Sequence, residues 1–310
     1  MTTAQVIAVD IGATAIKAGL VAQEPARPAT WTILGRADAA TPGSQGPEAI
    51  LDQVAELVIE LSDARPLAIG IGSCGLVDRH GRVIETTDTM PGWDGTDIPI
   101  EITRRTSCPC VADNDGNVAA LGEALHGAGQ GATCFAMLTL GTGVGGGVVI
   151  DGQVLHGAGS MAGTFGHLCV RPGGRQCACG ARGCLEAYAS AWAMRRYAGS
   201  DADEVFRRAR ETPGSEHDRD PVRSAKQHID EAADALGHAL AHIAHVLNPA
   251  VIAIGGGIAR SWPQLEDRTR ARFARNTLRS AQATTRIVPA QLGPDAGLIG
   301  AAALAARRHS

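Results

Sequence analysis

The sequence is poor in aromatic residues, which make up 3% of its 310 residues, and it has only two lysines, Lys17 and Lys226. So few aromatic rings argue against a protein that stacks nucleic-acid bases or coats a membrane interface. A formal net charge of −4 is too small to indicate a nucleic-acid surface. No run of about 18 apolar residues occurs, which a membrane-spanning helix would need. We therefore expect neither a nucleic-acid partner nor a membrane-spanning segment.

The N-terminal residues also lack the basic and apolar regions of a secretory signal peptide, which favours a cytoplasmic location. Apolar residues make up 45% of the chain and charged residues 19%, which are globular proportions and exclude global disorder. A length of 310 residues fits one large domain or two ordinary ones.

Glycine is abundant, with 39 residues, and it clusters after predicted strands. A strand over Val6–Val9 ends at Asp10 and a glycine turn, and a second strand–glycine–strand segment runs from Phe135 to Ile150. Backbone N–H groups, a hydroxyl and a carboxylate at such turns can bind phosphate and, through water, Mg²⁺. One such turn is equally well an ordinary hairpin, whereas two favour nucleotide phosphates. The candidate phosphate-binding residues are Asp10, Gly12, Thr14, Lys17, Gly141, Thr142, Gly143 and Gly145.

The two glycine turns open two halves that each later supply a helix, which hints at duplication. This layout predicts two α/β lobes around a central cleft. We expect the first lobe to span residues 1–121 and the second residues 122–294. A C-terminal helix at about 295–310 would return to the first lobe.

Three of the eight cysteines, Cys177, Cys179 and Cys184, fall within eight residues, and His167 lies ten residues before the first. Three thiolates and one imidazole complete a tetrahedral set, which indicates structural zinc without an open position for water. A disulfide is the alternative, and the lack of a secretion signal disfavours it. Unrelated buried cysteines are a second alternative, which this close spacing weakens.

The segment Asp113-Asn114-Asp115 precedes an apolar helical run. Asp and Asn at a helix start are by default N-caps. A carboxylate there is also placed to accept a proton from a hydroxyl nucleophile, as phosphoryl transfer requires.

Taken together, the motifs of this sequence resemble those of a known protein family. The matching segments are VDIGATAIK, ADNDGNVAALGE, LGTGVGGGVVIDG, GHLCVRPGGRQCACGARGCLEAYAS, NPAVIAIGGGIA and DAGLIGAAALA, which extend nearly end to end. The chain resembles the ROK family of sugar kinases and repressors, within the actin-like, hexokinase-like ATPase fold.

The resemblance implies a role for each matching residue. Asp115 falls on the catalytic base, and Asn114 beside it on a sugar ligand. His167 falls on the residue that both ligates zinc and touches sugar, and Glu186 on a further sugar ligand. The two glycine turns fall on the ATP-phosphate turns, and the run containing Gly256 and Gly257 on the adenosine side.

Two positions that usually contact sugar hydroxyls depart from the family pattern. Thr164 stands where the family commonly has Glu, and Thr89 where it commonly has Asn. Gly75 is expected to contact sugar as well. Bacterial N-acetylmannosamine kinases of this family also lack that Glu, so an N-acetylated amino sugar is as good a candidate as glucose.

The resemblance therefore implies an ATP- and Mg²⁺-dependent kinase with structural zinc, acting on the 6-hydroxyl of a hexose or an N-acetylated amino sugar. A homo-oligomer, dimer or tetramer, is expected, since family members often form one. The alternative is a catalytically weak sugar-binding or regulatory protein of the same family. Repressors of the family carry an N-terminal helix-turn-helix. Because the first strand is predicted to begin at Val6, we expect no room for such a domain before it.

Overall fold

The computed structural model describes residues 5–24, 27–62, 66–86, 90–211 and 219–308. Contacts divide the chain into two compact units. The first comprises the chain up to Gly131, residues 147–163 and the chain from Gln291; the second comprises Ala132–Gly146 and Thr164–Ala290. The lobe boundaries expected from the sequence stay a prediction. Among the described residues, no helix is both long and apolar enough to cross a membrane.

Runs of strands and runs of helices follow one another along the chain. The strands are β1 Gln5–Ile11, β2 Ala15–Glu24, β3 Arg27–Ala40, β4 Ile69–Ser73, β5 Leu76–Val77, β6 Val83–Glu85, β7 Cys110–Asn114, β8 Cys134–Leu140, β9 Val144–Ile150, β10 Gln153–Val154, β11 Val251–Gly255 and β12 Arg286–Pro289. The helices are α1 Pro47–Glu60, α2 Ile98–Thr106, α3 Asp115–His126, α4 Glu186–Ala189, α5 Ala191–Ala193, α6 Ala202–Ala209, α7 Arg219–Leu247, α8 Trp262–Asn276, α9 Arg279–Thr284 and α10 Ala296–Arg308.

The main sheet of the first unit has the order β3-β2-β1-β4-β7. The strand–turn–strand expected near Asp10 is the antiparallel pair β1–β2. Strands β1, β4 and β7 are parallel, and Ile11, Ser73 and Asn114 are successive partners at their carboxyl ends. The first glycine turn and the start of α3 therefore leave the sheet at the same edge, which is where ligands bind in open α/β sheets.

The side chains of these strands are nearly all buried and point alternately to the two faces of the sheet, which gives the first unit two apolar layers. On one face, side chains of β1, β4, α1 and α2 form one cluster, which includes Ile7, Ile69 and the fully buried Trp93. On the other face, β1 side chains such as Val6 pack with Leu298 and other residues of α10. A sheet covered on both sides holds its carboxyl ends rigidly, and the candidate site residues of this unit lie there.

The second sheet has the order β10-β9-β8-β11-β12, in which β11 is parallel to both β8 and β12. The 29-residue helix α7 lies in the second unit. Its apolar stripe, exemplified by Leu236, Leu240 and Ile243, is buried, as its spacing predicts.

Candidate active site

Asp115 is the first residue of α3, directly after β7. Its Oδ1 accepts from the Gly116 N–H at 2.7 Å and from the Asn114 side-chain amide at 2.9 Å. Asn114 is the N-cap, since its Oδ1 accepts from the Asn117 N–H at 3.1 Å. The amide of Asn114 also donates to the Gly75 carbonyl at 2.7 Å, so three of the predicted site residues are tied together.

Burial, and to a lesser extent the negative charge of Asp10, raise the pKa of Asp115 to about 7, although the hydrogen bonds from Gly116 and Asn114 lower it. A carboxylate with a pKa near the working pH is suited to accept a proton from a hydroxyl group. All of its hydrogen bonds within the described part of the chain go to Oδ1. Oδ2 therefore has no protein donor there and can face a substrate.

The first glycine turn joins β1 to β2. The Gly12 N–H donates to the Ala15 carbonyl at 3.0 Å, and the Thr41 hydroxyl donates to the Gly12 carbonyl at 2.6 Å. The N–H of Gly12 is therefore used to close the turn, and a role of Gly12 in phosphate binding stays a prediction. Thr14 and Lys17 are exposed beside it, and they supply the hydroxyl and the cation.

Asp10 lies at the end of β1, at the start of this turn. Burial raises the pKa of its carboxyl, and the Lys17 charge opposes the shift. An oxygen ligand in such a place suits Mg²⁺, which keeps several waters and takes one or two carboxylates from the protein.

The second glycine turn, residues 141–145, joins β8 to β9. The Gly141 N–H donates to the Gly143 carbonyl at 2.9 Å, so this N–H too is used within the turn. The Val144 N–H donates to Glu186 Oε2 at 2.9 Å. A Cβ at Gly143 would lie 2.5 Å from the same oxygen, so a larger residue here would have to displace the Glu186 carboxylate. Thr142 is exposed at the tip, and Gly145 follows in β9.

Gly256 and Gly257 are exposed directly after β11. Gly256 has a φ of 86°, and a Cβ there would lie 2.4 Å from the Leu140 carbonyl oxygen. Glycine at this position lets the turn after β11 approach the end of β8 closely, beside the second glycine turn. The predicted adenosine-side turn and second phosphate turn are thus neighbours within the second unit.

The cysteine loop, residues 167–186, brings all four predicted zinc ligands together. The ligand atoms of His167, Cys177, Cys179 and Cys184 all lie within 4.8 Å of one another. The Cys177 Sγ is 4.0 Å from His167 Nδ1, and the Cys179 and Cys184 sulfurs are 3.8 Å apart. All four residues are close in one loop because Gly180 and Gly183 have positive φ values.

The remaining predicted sugar ligands have different surroundings. Glu186 begins α4, its Oε2 accepts from the Val144 N–H, and its Oε1 lies 3.7 Å from the Cys177 sulfur. Glu186 is therefore part of the contact between the cysteine loop and the second glycine turn. Thr164 is exposed just before the 3-10 turn Phe165–His167. Thr89 lies outside the described residues.

Two polar groups near the site were missed by the sequence reasoning. The His156 Nε2 lies 2.7 Å from Asp113 Oδ2, although the residues are 43 positions apart. Glu123, fully buried in α3, accepts from the N–H groups of Ala128, Gln291 and Leu292. A glutamate on an apolar helix face is a signal of such a buried anchor, whereas nothing in the spacing of His156 links it to Asp113.

Comparisons with known proteins identify the family of this chain. The chain matches the ROK family over residues 6–308. It is 34% identical to the glucokinase of Thermotoga maritima, over 99% of each chain, and 33% identical to the N-acetylmannosamine kinase of Shigella flexneri, over 97% of this chain and 98% of that protein.

Two solved structures are similar along nearly their whole length. The ROK hexokinase of Thermus thermophilus has a TM-score of 0.80 at 32% identity, over 98% of each chain. The ROK glucokinase of Streptomyces griseus, in complex with glucose and AMPPNP, has a TM-score of 0.77 at 33% identity, over 98% of this chain and 99% of that chain. The expected α/β, actin-like ATPase fold is confirmed, and the chain belongs to the ROK family.

Proposed function

We propose that this protein is an ATP-dependent sugar kinase that phosphorylates the 6-hydroxyl of a hexose or an N-acetylated amino sugar. The observation that carries the proposal is Asp115, a carboxylate with a pKa of about 7 at the start of α3. Its Oδ1 is fixed by two donors, and no donor among the described residues binds its Oδ2. The relatives named glucokinase and N-acetylmannosamine kinase, and the neighbour that holds glucose and AMPPNP, support this class of reaction.

In the reaction, Asp115 Oδ2 accepts the proton of the 6-hydroxyl as its oxygen bonds to the γ-phosphorus. The bond between the γ-phosphorus and the bridging oxygen of ADP breaks, so the products are a sugar 6-phosphate and ADP. Asn114, held by the Gly75 carbonyl, orients the sugar beside the base. Positioning and charge stabilisation supply most of the catalysis in such transfers.

The two glycine turns would bind the triphosphate. Because the N–H groups of Gly12 and Gly141 close their own turns, the phosphates would be contacted by the exposed Thr14, Lys17 and Thr142. Asp10 would hold Mg²⁺ through water, and the ion neutralises charge on the phosphates when bound. Gly256 and Gly257 would lie on the adenosine side.

The cysteine loop fits a structural zinc ion. Tetrahedral zinc with bonds of about 2.3 Å to sulfur separates two sulfur ligands by about 3.8 Å. Cys179 and Cys184 have this separation, at 3.8 Å. His167, Cys177, Cys179 and Cys184 would hold the ion, which supplies rigidity to the loop that carries His167 and Glu186.

The identity of the sugar depends on Thr164 and Thr89, where the family pattern is changed. Glucokinase and N-acetylmannosamine kinase relatives are 34% and 33% identical to the chain, so overall similarity favours neither substrate. The exposed Thr164 offers a hydroxyl where a carboxylate acceptor is usual. We propose both sugars as candidates, and a cytoplasmic homo-oligomer, dimer or tetramer, as the working form.

A coupled assay of ADP release tests the function, with ATP, Mg²⁺ and a panel of glucose, mannose, fructose, allose, N-acetylglucosamine and N-acetylmannosamine. We expect sugar-dependent ADP release with at least one panel member and a phosphorylated sugar as product. The control is an Asp115→Asn preparation purified in parallel, which removes any contribution from contaminating kinases. Sugar binding without ADP release would instead support the regulatory alternative.

A further inference from the structure

We infer that His156 is a positioning residue for the catalytic base, because it anchors the Asp113 carboxylate that organises the turn carrying Asn114 and Asp115. The inference rests on the proposed kinase function. His156 follows β10, in the segment 147–163 that belongs to the first unit. Its Nε2 lies 2.7 Å from Asp113 Oδ2, and the two side chains are 24% and 4% exposed.

Asp113 is a nearly buried carboxylate at the end of β7, and both of its oxygens are engaged. Oδ1 accepts from the Asn114 N–H at 2.7 Å and from the Asn117 side-chain amide at 3.0 Å. Oδ2 faces His156. A buried carboxylate is costly unless donors satisfy it, so the ring nitrogen facing it carries a proton.

Asn117 shows how closely the turn depends on this carboxylate. The residue is 2% exposed, and its Oδ1 has no hydrogen-bond partner within the described part of the chain. Turning the amide over would put this oxygen against Asp113 Oδ1 and lose the 3.0 Å bond. Asp113 therefore fixes the orientation of Asn117, at the cost of one unsatisfied oxygen.

Asp113 influences the position of the proposed base, Asp115, through the N-cap residue Asn114. The Asn117 N–H donates to Asn114 Oδ1, and the amide of Asn114 donates to Asp115 Oδ1. Asp113 also holds the N–H of Asn114 directly. If the contact with His156 is lost, Asp113 keeps two donors on Oδ1 but loses the donor on Oδ2, so its carboxylate can shift and displace Asn114 and Asp115, the proposed sugar contacts. Small misplacements of reacting groups lower turnover strongly while leaving a helix intact.

Two variants separate the donor from the volume of the ring. His156→Gln keeps an N–H donor of similar reach, whereas His156→Met fills similar space without one. We expect His156→Met to lower kcat about 10- to 100-fold, the usual effect of losing a supporting partner. His156→Gln should recover kcat to within about threefold of the wild type with little change in Tm. His156→Met should also lower Tm, because it leaves the buried Asp113 Oδ2 without its donor. AMPPNP affinity should change little in either variant.

A second readout needs no turnover. In ¹⁵N-imidazole spectra, the ring signal that disappears in His156→Gln identifies His156, and Asp113→Asn should move that signal. The protonated nitrogen of this ring should be Nε2. An Nε2 without a proton at pH 8 would overturn the inference.

The kinetic outcomes decide between distinct failures. A His156→Met variant with kcat within threefold of the wild type overturns the positioning role while the kinase function stands. Equal losses of kcat and Tm in both variants also overturn it, since they indicate a structural role alone. A wild-type protein inactive on every sugar of the panel refutes the proposed function itself.

Discussion

The β7–α3 turn, residues 113–117, and the cysteine loop fix the orientation of their polar side chains in different ways. In the β7–α3 turn, the carboxylates of Asp113 and Asp115 and the amide of Asn114 accept or donate hydrogen bonds within the chain. In the cysteine loop, three thiols face one another, with 3.8 Å between the sulfurs of Cys179 and Cys184. Thiols are weak hydrogen-bond partners. The first arrangement is held by hydrogen bonds within the chain, whereas the second has a side-chain set that could hold a metal ion.

The largest expected effect on kcat comes from replacing the proposed base, Asp115, in the β7–α3 turn. Asp115→Asn should lower kcat about 10²–10⁴-fold, because general-base help is lost. Fold and AMPPNP affinity should persist, since an amide oxygen can still accept from Gly116. Asp151→Asn is the matched control, at an exposed turn position with a φ of 49° that Asn tolerates. A variant with more than a tenth of the wild-type kcat would contradict the assignment of the base.

The pH profile of the wild type gives an independent check of the same residue. Asp115 acts only when it is deprotonated, and its pKa is raised to about 7 by burial and by Asp10. The specificity constant kcat/KM should therefore fall as the pH drops below about 7. An acid limb near pH 4, the range of an ordinary exposed carboxylate, would show that this group is not the base.

The next largest effect should come from removing one of the predicted zinc ligands in the cysteine loop. Cys179→Ser should lower the zinc content well below one ion per chain and raise the sugar KM about tenfold or more, since His167 and Glu186 lie on the same loop. Cys169→Ser is the matched control, because Cys169 is exposed nearby and lies outside the four-ligand cluster. Metal analysis and sugar titration measure both effects. Full sugar affinity in zinc-free protein would refute the coupling between the ion and the sugar site.

The contrast also explains what the sequence could predict. The spacing alone predicts the ligands Cys177, Cys179 and Cys184, whereas the family resemblance was needed to distinguish Asp115 from an ordinary helix N-cap. The hydrogen bond from the Gly12 N–H to the Ala15 carbonyl was not predicted, because a turn motif does not specify it. His156 was missed because tertiary structure alone brings it to Asp113.

Glu186 shows a similar limit of the sequence reasoning. The family resemblance assigns it to sugar, and the structure adds that its carboxylate accepts from the Val144 N–H in the second glycine turn. That bond joins elements 42 residues apart. Fold class follows from strand and glycine patterns, whereas the polar contacts that tune a site depend on which loops the fold brings together.

A smaller effect should come from Arg175, which supports the cysteine loop from inside the second unit. Its guanidinium lies 4.8 Å from the centre of the Tyr188 ring and 4.7 Å from that of Tyr197, and it pairs with Glu231. Lysine keeps the charge but not the planar stacking. Arg175→Lys should therefore speed zinc loss to a chelator several-fold, a change of about 1 kcal/mol.

The matched control for this prediction is Arg182→Lys. Arg182 is exposed in the same loop, and its guanidinium donates to the side chain of Gln176 at 3.3 Å. Chelator kinetics measure zinc loss in the three proteins. Equal rates in the wild type and Arg175→Lys would show that the ion alone sets the rigidity of the loop.

The smallest effect we expect is a shift of sugar preference by Thr164→Glu. Thr164 is exposed, three residues before the ligand His167, so a longer side chain can be accommodated on a loop that zinc would hold in place. A new carboxylate acceptor at a solvent-exposed site contributes about 0.5–1.5 kcal/mol, or roughly two- to tenfold in kcat/KM. The variant should shift the ratio of kcat/KM for glucose over that for N-acetylmannosamine towards glucose. If both rates fall together, the Glu clashes in the pocket, and if the ratio is unchanged, Thr164 does not set sugar choice.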